Sequence, residues 1–230
     1  MSVTAARGFE ASGVAAGIRR SGPDLALVRS TAPAVGAALW TSNRVLAAPV
    51  VVSKRHLEAA QPQAVVVNAG VANAATGAQG EADAEATADA AAKRLGLAAE
   101  QMVVLSTGVI GVPLPLDRVL AGVEAAASLL SVDGGDSAAT AILTTDSGPK
   151  QAVRSAGGFT VGGMAKGAGM IHPALATMLA VVTTDYPLAA GDVDAFLRPA
   201  VERSFNRISV DGECSTNDAV VLLANGASGI

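Results

Sequence analysis

The chain has 230 residues, half of them hydrophobic and 16% charged, a balance that excludes a disordered segment and allows a sizeable buried core. Its formal net charge of -4 comes without a basic block, which argues against nucleic acid and an anionic membrane surface as partners. The single cysteine, Cys214, forms no internal disulfide, and no histidine and cysteine cluster offers a metal site.

Aromatic residues make up only 3%, so the core must pack with small aliphatic side chains. Met1 to Arg7 lacks the pattern of a signal peptide, and no run approaches the roughly 18 apolar residues of a membrane span. The expected place of action is the cytoplasm.

In chain order, Leu25–Val28, Val35–Trp40 and Pro49–Ser53 read as short strands, and Lys54 to Ala60 as a short helix. Ala64–Val67 is a strand ending at the turn signal Asn68-Ala69-Gly70. Glu81 to Leu95 is a helix with early acids, late bases and Gly96 as its stop. Met102–Leu105 is a strand that runs into Ser106-Thr107-Gly108, and Pro115 to Leu130 is a second helix. A short helix is expected over Ser137 to Leu143. A strand from Phe159–Val161 leads into a glycine-rich loop, Gly162 to Gly169, and Thr177 to Thr183 forms another. Asp194 to Phe205 reads as a helix despite Pro199, and Ala219–Ala224 as the last strand. Hairpin-like strand runs with separate helices favour an α/β or α+β fold without internal repeats. An end so soon after an apolar strand suggests a fragment of a longer protein.

The glycine-rich segment does not match a phosphate loop, because Ala165 precedes Lys166 and Gly167 follows it where Ser or Thr is needed. Taken alone it is a tight connection with one solvated lysine. Thr177, taken alone, is a β-branched residue packing in an apolar strand. A sharper reading has its hydroxyl attack the preceding carbonyl to form an ester, whose hydrolysis by water leaves a new N-terminal threonine with an α-amine that serves as base for its own hydroxyl. An α-amine with a pKa of about 8 suits that task. Other nucleophile systems are poorly represented. His56 sits among Lys54, Arg55 and Glu58 and reads as a surface residue, His172 lies shortly before Thr177, and Cys214 reads as a lone buried cysteine. Ser106-Thr107-Gly108-Val109-Ile110-Gly111 carries a hydroxyl and a permissive glycine amide after a strand, which suits an oxyanion hole or an ordinary turn.

Together these pieces resemble the ornithine acetyltransferases, also called glutamate N-acetyltransferases, of the cyclic arginine pathway. The matching blocks are Arg7-Gly8-Phe9, Asn68 to Gly77, Ser106 to Gly111, Thr144-Thr145-Asp146, Gly162 to Asp185 and Asp211 to Asp218. The resemblance implies a four-layer αββα sandwich like that of N-terminal-nucleophile hydrolases. It also implies cleavage between Ala176 and Thr177, giving an α fragment, 1–176, and the start of a β fragment, 177–230. Thr177 is implied as the nucleophile that takes acetyl from N-acetylornithine and passes it to glutamate in a ping-pong cycle. Thr107 and Gly108 are implied as the oxyanion hole, and Thr144, Lys166 and Thr177 as substrate-binding residues. Two copies of each fragment are implied, with no cofactor, and acetyl-CoA is a further donor in some members. A cysteine is common in the family where Ala75 stands, and family members continue past Ile230 with a glutamate and polar residues that complete the pocket. Two other readings stay open: a related self-processing amidase or aminopeptidase, and an inactive truncated assembly partner.

Overall fold

The computed structural model describes residues 2–171 and 178–230. Among them, nine strands form two sheets. The first sheet holds β1 (Phe9–Val14), β2 (Leu25–Ser30), β4 (Ala64–Val71) and β5 (Met102–Val109), in the order β1-β2-β4-β5. The second holds β3 (Val35–Trp40), β6 (Lys150–Ala156), β7 (Phe159–Lys166), β8 (Leu179–Thr184) and β9 (Ala219–Ala224), in the order β3-β9-β8-β7-β6. Each sheet contains one parallel pair, β4 with β5 and β8 with β9. A helix lies within each crossover: α2 (Gly77–Leu95) and α5 (Val193–Arg203).

Side-chain alternation builds the layers. Val65 and Val67 of β4, with Val103 and Leu105 of β5, face Leu179, Val181, Val221 and Leu223 of the second sheet. The intervening Val66, Met102 and Val104 pack instead against α2 and α3 (Leu116–Ser128). On the far side of the second sheet, Ala180, Val220 and Leu222 pack with Val193, Leu197 and Val201 of α5. The sequence of layers is therefore helix, sheet, sheet, helix. Each buried Val or Leu contributes about 1.5–3 kcal/mol, and a one-residue slip would turn every one to the wrong face, so the register is strongly specified. A further helix, α4 (Gly135–Ala141), closes the inter-sheet core beside β1.

Several expected elements stand as read. Val35–Trp40 and Ala219–Ala224 are strands with those bounds. Gly96 ends α2 at φ 69°, a left-handed cap that suits glycine. Pro199 sits inside α5, where it removes one donor from the helical ladder.

Others differ. Pro49–Ser53 is helical, part of α1 (Ala48–Ala59). Its valines suggested a strand, but Pro49 fits a first helical turn, and Val50, Val52, Ser53 and His56 turn one face inward. That face covers the edge of the first sheet: the Ser53 hydroxyl donates to the Val104 carbonyl at 2.9 Å and accepts its N–H at 2.8 Å. His56 is consequently no surface residue. It is 3% exposed, with Nδ1 3.0 Å from the Met102 carbonyl and Nε2 2.9 Å from Glu85. The expected turn at Asn68-Ala69-Gly70 is strand, as is most of the glycine-rich stretch, for β7 runs through Lys166. A Cβ on Gly162 would meet the Ser2 carbonyl at 2.0 Å, so glycine there admits the N-terminal segment against β7. The strands β1 and β6 were not foreseen. Cys214 is half-buried beside Thr41 and Ser42.

Candidate active site

The two sheets meet at the ends of β5 and β7. Even-numbered residues at the end of β7 face the first sheet, so Met164 joins the inter-sheet core and Lys166 points the same way. There the Lys166 ammonium, 2% exposed as a residue, donates to the Thr107 hydroxyl at 3.0 Å. An ammonium has no lone pair, so Thr107 must be the acceptor in this bond. Its own proton remains available to a second partner.

Gly108 follows, at φ 132° and in register with Gly70 of β4. A Cβ there would come within 2.2 Å of the Gly70 carbonyl carbon, so the backbone excludes every other residue. The segment is held by amide side chains. The Asn68 amide donates to the Val71 carbonyl at 2.8 Å, the Ser106 hydroxyl donates to Asn68 Oδ1, and the Asn217 amide donates to the Ser106 carbonyl at 2.9 Å.

Thr144 lies in the loop after α4, and its N–H approaches Asp146 Oδ2 at 3.5 Å. Asp146 Oδ1 accepts the Gly167 N–H at 2.7 Å and a bond from Lys150. The aspartate thereby ties the Thr144 loop to the end of β7. Burial works against its charge, but the bonds from Lys150 and Gly167 and the charges of Lys150 and Lys166 outweigh that and hold its pKa below the usual range. Burial likewise pushes Lys166 down, with Lys150 adding to the effect. The carboxylates of Asp146 and Asp218 oppose it without restoring the ordinary lysine value.

Ala176 and Thr177, the expected cleavage pair, lie outside the described residues, as does His172. The chain on both sides of them is anchored. Asp211 accepts the N–H groups of Met170 and Ile171, while Asp218 Oδ1 accepts the Met178 N–H at 2.9 Å. Of the expected residues, Thr107, Gly108, Lys166 and Thr144 gather at one end of the sandwich. Asp146, Asp211, Asn217 and Asp218 were read only as members of matching blocks, without roles. The available signal was polar residues flanking apolar strands, where a strand end opens onto a site. A largely apolar cavity of about 490 Å³ runs along the second sheet over Val153, Val161, Ala180 and Val182, and its lining reaches Lys150, Lys166, Gly167 and Met178 beside these polar groups. Among the described residues no group of three or more His, Cys, Asp or Glu is placed to hold a metal ion, and no helix is long and apolar enough to cross a membrane.

Two face-to-face sheets between helical layers, with polar groups converging at one end, define a sandwich of the N-terminal-nucleophile hydrolase type. Its likeness to an L-aminopeptidase D-Ala-esterase/amidase from Ochrobactrum anthropi is one of fold, with a TM-score of 0.56 at 13% identity over 97% of this chain and 73% of that one. The chain belongs to the ArgJ family, whose model matches residues 10–229. It is 55% identical to the arginine biosynthesis bifunctional protein ArgJ of Streptomyces coelicolor, over 100% of this chain and 61% of that protein. The corresponding protein of Mycobacterium leprae is 51% identical, over 99% of this chain and 59% of that protein. The chain thus spans about 60% of the length of the curated relatives it matches. Among solved structures, the ornithine acetyltransferase of Mycobacterium tuberculosis complexed with ornithine superposes with a TM-score of 0.69 at 42% identity, covering 77% of this chain and 95% of that one.

Proposed function

We propose that the chain is the self-processing, acyl-accepting part of an ornithine acetyltransferase that moves acetyl from N-acetylornithine to glutamate. The supporting observation is the Lys166 to Thr107 bond at 3.0 Å, which makes Thr107 an acceptor on one side and leaves its hydroxyl proton for a developing oxyanion. The names of the relatives and of the ornithine-bound structure support the same substrate class.

In this reading the chain cuts itself between Ala176 and Thr177, giving an α fragment, 1–176, and a β fragment that begins with 177–230, two of each fragment in the assembled enzyme. The freed α-amine of Thr177 takes the proton from its own hydroxyl, and that oxygen attacks the acetyl carbonyl of N-acetylornithine. Thr107 and the Gly108 amide hold the negative oxygen. The carbon–nitrogen bond breaks, ornithine leaves with the proton, and acetyl remains on Thr177. Glutamate then attacks through its amine and departs as N-acetylglutamate, restoring the threonine. Lys166 offers a charge to a substrate carboxylate, with Thr144 beside it. The name "bifunctional" carried by the relatives supports a second activity, for which acetyl-CoA is the candidate donor.

The test supplies N-acetylornithine and glutamate to the full-length protein that carries this chain, and follows ornithine and N-acetylglutamate. Formation of both in equal amounts is expected. Ornithine released at a rate indifferent to glutamate would make water the acceptor and the protein an amidase. No turnover, together with an uncut chain by mass, would leave it an assembly partner only.

A further inference from the structure

Asn217 and Asp218 occupy the connection that leads into β9, and both are buried. The Asn217 amide donates to two carbonyls of the first sheet's side, Ala72 at 2.7 Å and Ser106 at 2.9 Å. The Ser106 carbonyl belongs to the same peptide unit as the Thr107 N–H, so this bond orients the segment bearing the oxyanion donors. Asp218 holds the other sheet. Its Oδ1 accepts the Met178 N–H at 2.9 Å, and the Ala219 N–H donates to the Met178 carbonyl at 3.0 Å. The Met178 N–H belongs to the peptide unit that joins Met178 to Thr177. The dipeptide is itself pinned, for the Thr41 N–H donates to the Asp218 carbonyl at 2.9 Å and the Asn217 N–H to the Ser215 hydroxyl at 3.1 Å.

We propose that Asn217 and Asp218 are a positioning pair, with Asn217 setting the Thr107–Gly108 donors and Asp218 setting the peptide that follows the nucleophile. One buried dipeptide then governs the relation between two halves of the site carried on different sheets. A misplacement of about 1 Å between reacting groups costs on the order of 10²-fold in rate, so such a peg is worth its buried charge. Asp218 has a second effect, because its carboxylate supports the protonated form of Lys166 together with Asp146 and against Lys150. This inference rests on the reading of Thr177 as nucleophile.

The decisive variant is Asp218→Asn in the full-length protein. It keeps an acceptor oxygen for the Met178 N–H and nearly the same volume, but deletes the charge facing Lys166. Self-cleavage is followed by mass, transfer by kcat and KM, and folding by thermal melting. Expected are slower cleavage, kcat lower by about tenfold to a hundredfold with KM within about threefold, and an alkaline limb of the pH profile moved to lower pH. Asp218→Glu keeps the charge but displaces the carboxylate, and should lose kcat with that limb unmoved. Wild-type cleavage, kcat and pH profile in Asp218→Asn would overturn the proposal. So would a loss of kcat that follows the loss of folded protein with no change in the limb. If Asp218→Asn does not fold, the Asp218→Glu result decides alone, and unchanged kcat there overturns the proposal. If the unmodified protein neither cuts before Thr177 nor transfers acetyl, the functional reading fails first and takes this inference with it.

Discussion

Lys166 of β7 and Thr107 of β5 belong to different sheets, yet their side chains meet at 3.0 Å in a buried position. Because the ammonium donates, the threonine hydroxyl is turned into a directed donor rather than a free rotor. Removing that hydroxyl should therefore cost transition-state stabilisation more than substrate binding. For Thr107→Ala, kcat for acetyl transfer is expected to fall by about 10²-fold to 10³-fold, with Thr107→Ser retaining most of it. Steady-state kinetics on the processed protein checks this, and an Ala variant with ordinary kcat would remove Thr107 from the oxyanion hole.

Lys166 carries a stability cost with a definite sign. Burial lowers its pKa in the folded chain, so between the folded and unfolded values the unfolded state binds more protons. Stability attributable to this group rises with pH across that window, which lies below the ordinary lysine range near pH 10, and the penalty is complete on its acid side. Lys166→Met should consequently abolish acetyl transfer while leaving the melting temperature at neutral pH equal or higher. A variant that melts well below the parent would show that the Thr107 and Asp146 interactions outweigh the desolvation.

Gly108 and Gly111 both have positive φ, 132° and 78°, but their surroundings differ. A Cβ on Gly108 overlaps the Gly70 backbone at 2.2 Å, whereas one on Gly111 meets nothing within 4 Å. Gly111→Ala should cost about 1 kcal/mol from the backbone alone. Gly108→Ala must in addition part β4 from β5, so a loss of about 3 kcal/mol or more is expected. Chemical denaturation of the two variants gives the comparison, and equal losses would contradict the close approach of the two glycines.

Asp211 clamps the chain ahead of the expected cleavage point through the N–H groups of Met170 and Ile171. The Met170 bond chiefly lowers its pKa, aided by Glu213 and Ile171 against a smaller burial effect. Its contribution is thus present above the ordinary aspartate range and is lost as the pH falls through the lowered folded value, below about pH 4. Asp211→Ala should slow self-cleavage at neutral pH by about tenfold or more with little change in melting temperature, since the carboxylate is exposed. Mass spectrometry of freshly produced chain measures it, and unchanged cleavage would show that the clamp does not prepare the bond.

Local readability varied with how far each residue depends on distant partners. The strands β3 and β9 were legible because alternation and flanking breakers are local properties. Pro49–Ser53 was misread because a valine run says only that the segment is buried, and its helical form answers the exposed edge of β5. His56 looked solvated from its charged neighbours, yet a helix turns successive residues to different faces and this one meets Met102 and Glu85. Gly162 to Lys166 looked like a loop because glycine usually marks turns. Here β7 needs it to admit Ser2.

The order of chemical residues along the chain, a hydroxyl beside a glycine, a lysine after a glycine-rich stretch and a threonine after an alanine, was enough to establish kinship and the residue types of the candidate site. Those are covalent facts, unchanged by folding. Which of them meet was decided only in three dimensions. The Lys166–Thr107 bond spans 59 positions and the Asn217–Ser106 bond spans 111, and neither distance along the chain carries a signal. Two sheets stacked face to face bring these residues together, since burying the inner valines and leucines forces the strand ends, and the polar groups they carry, into register.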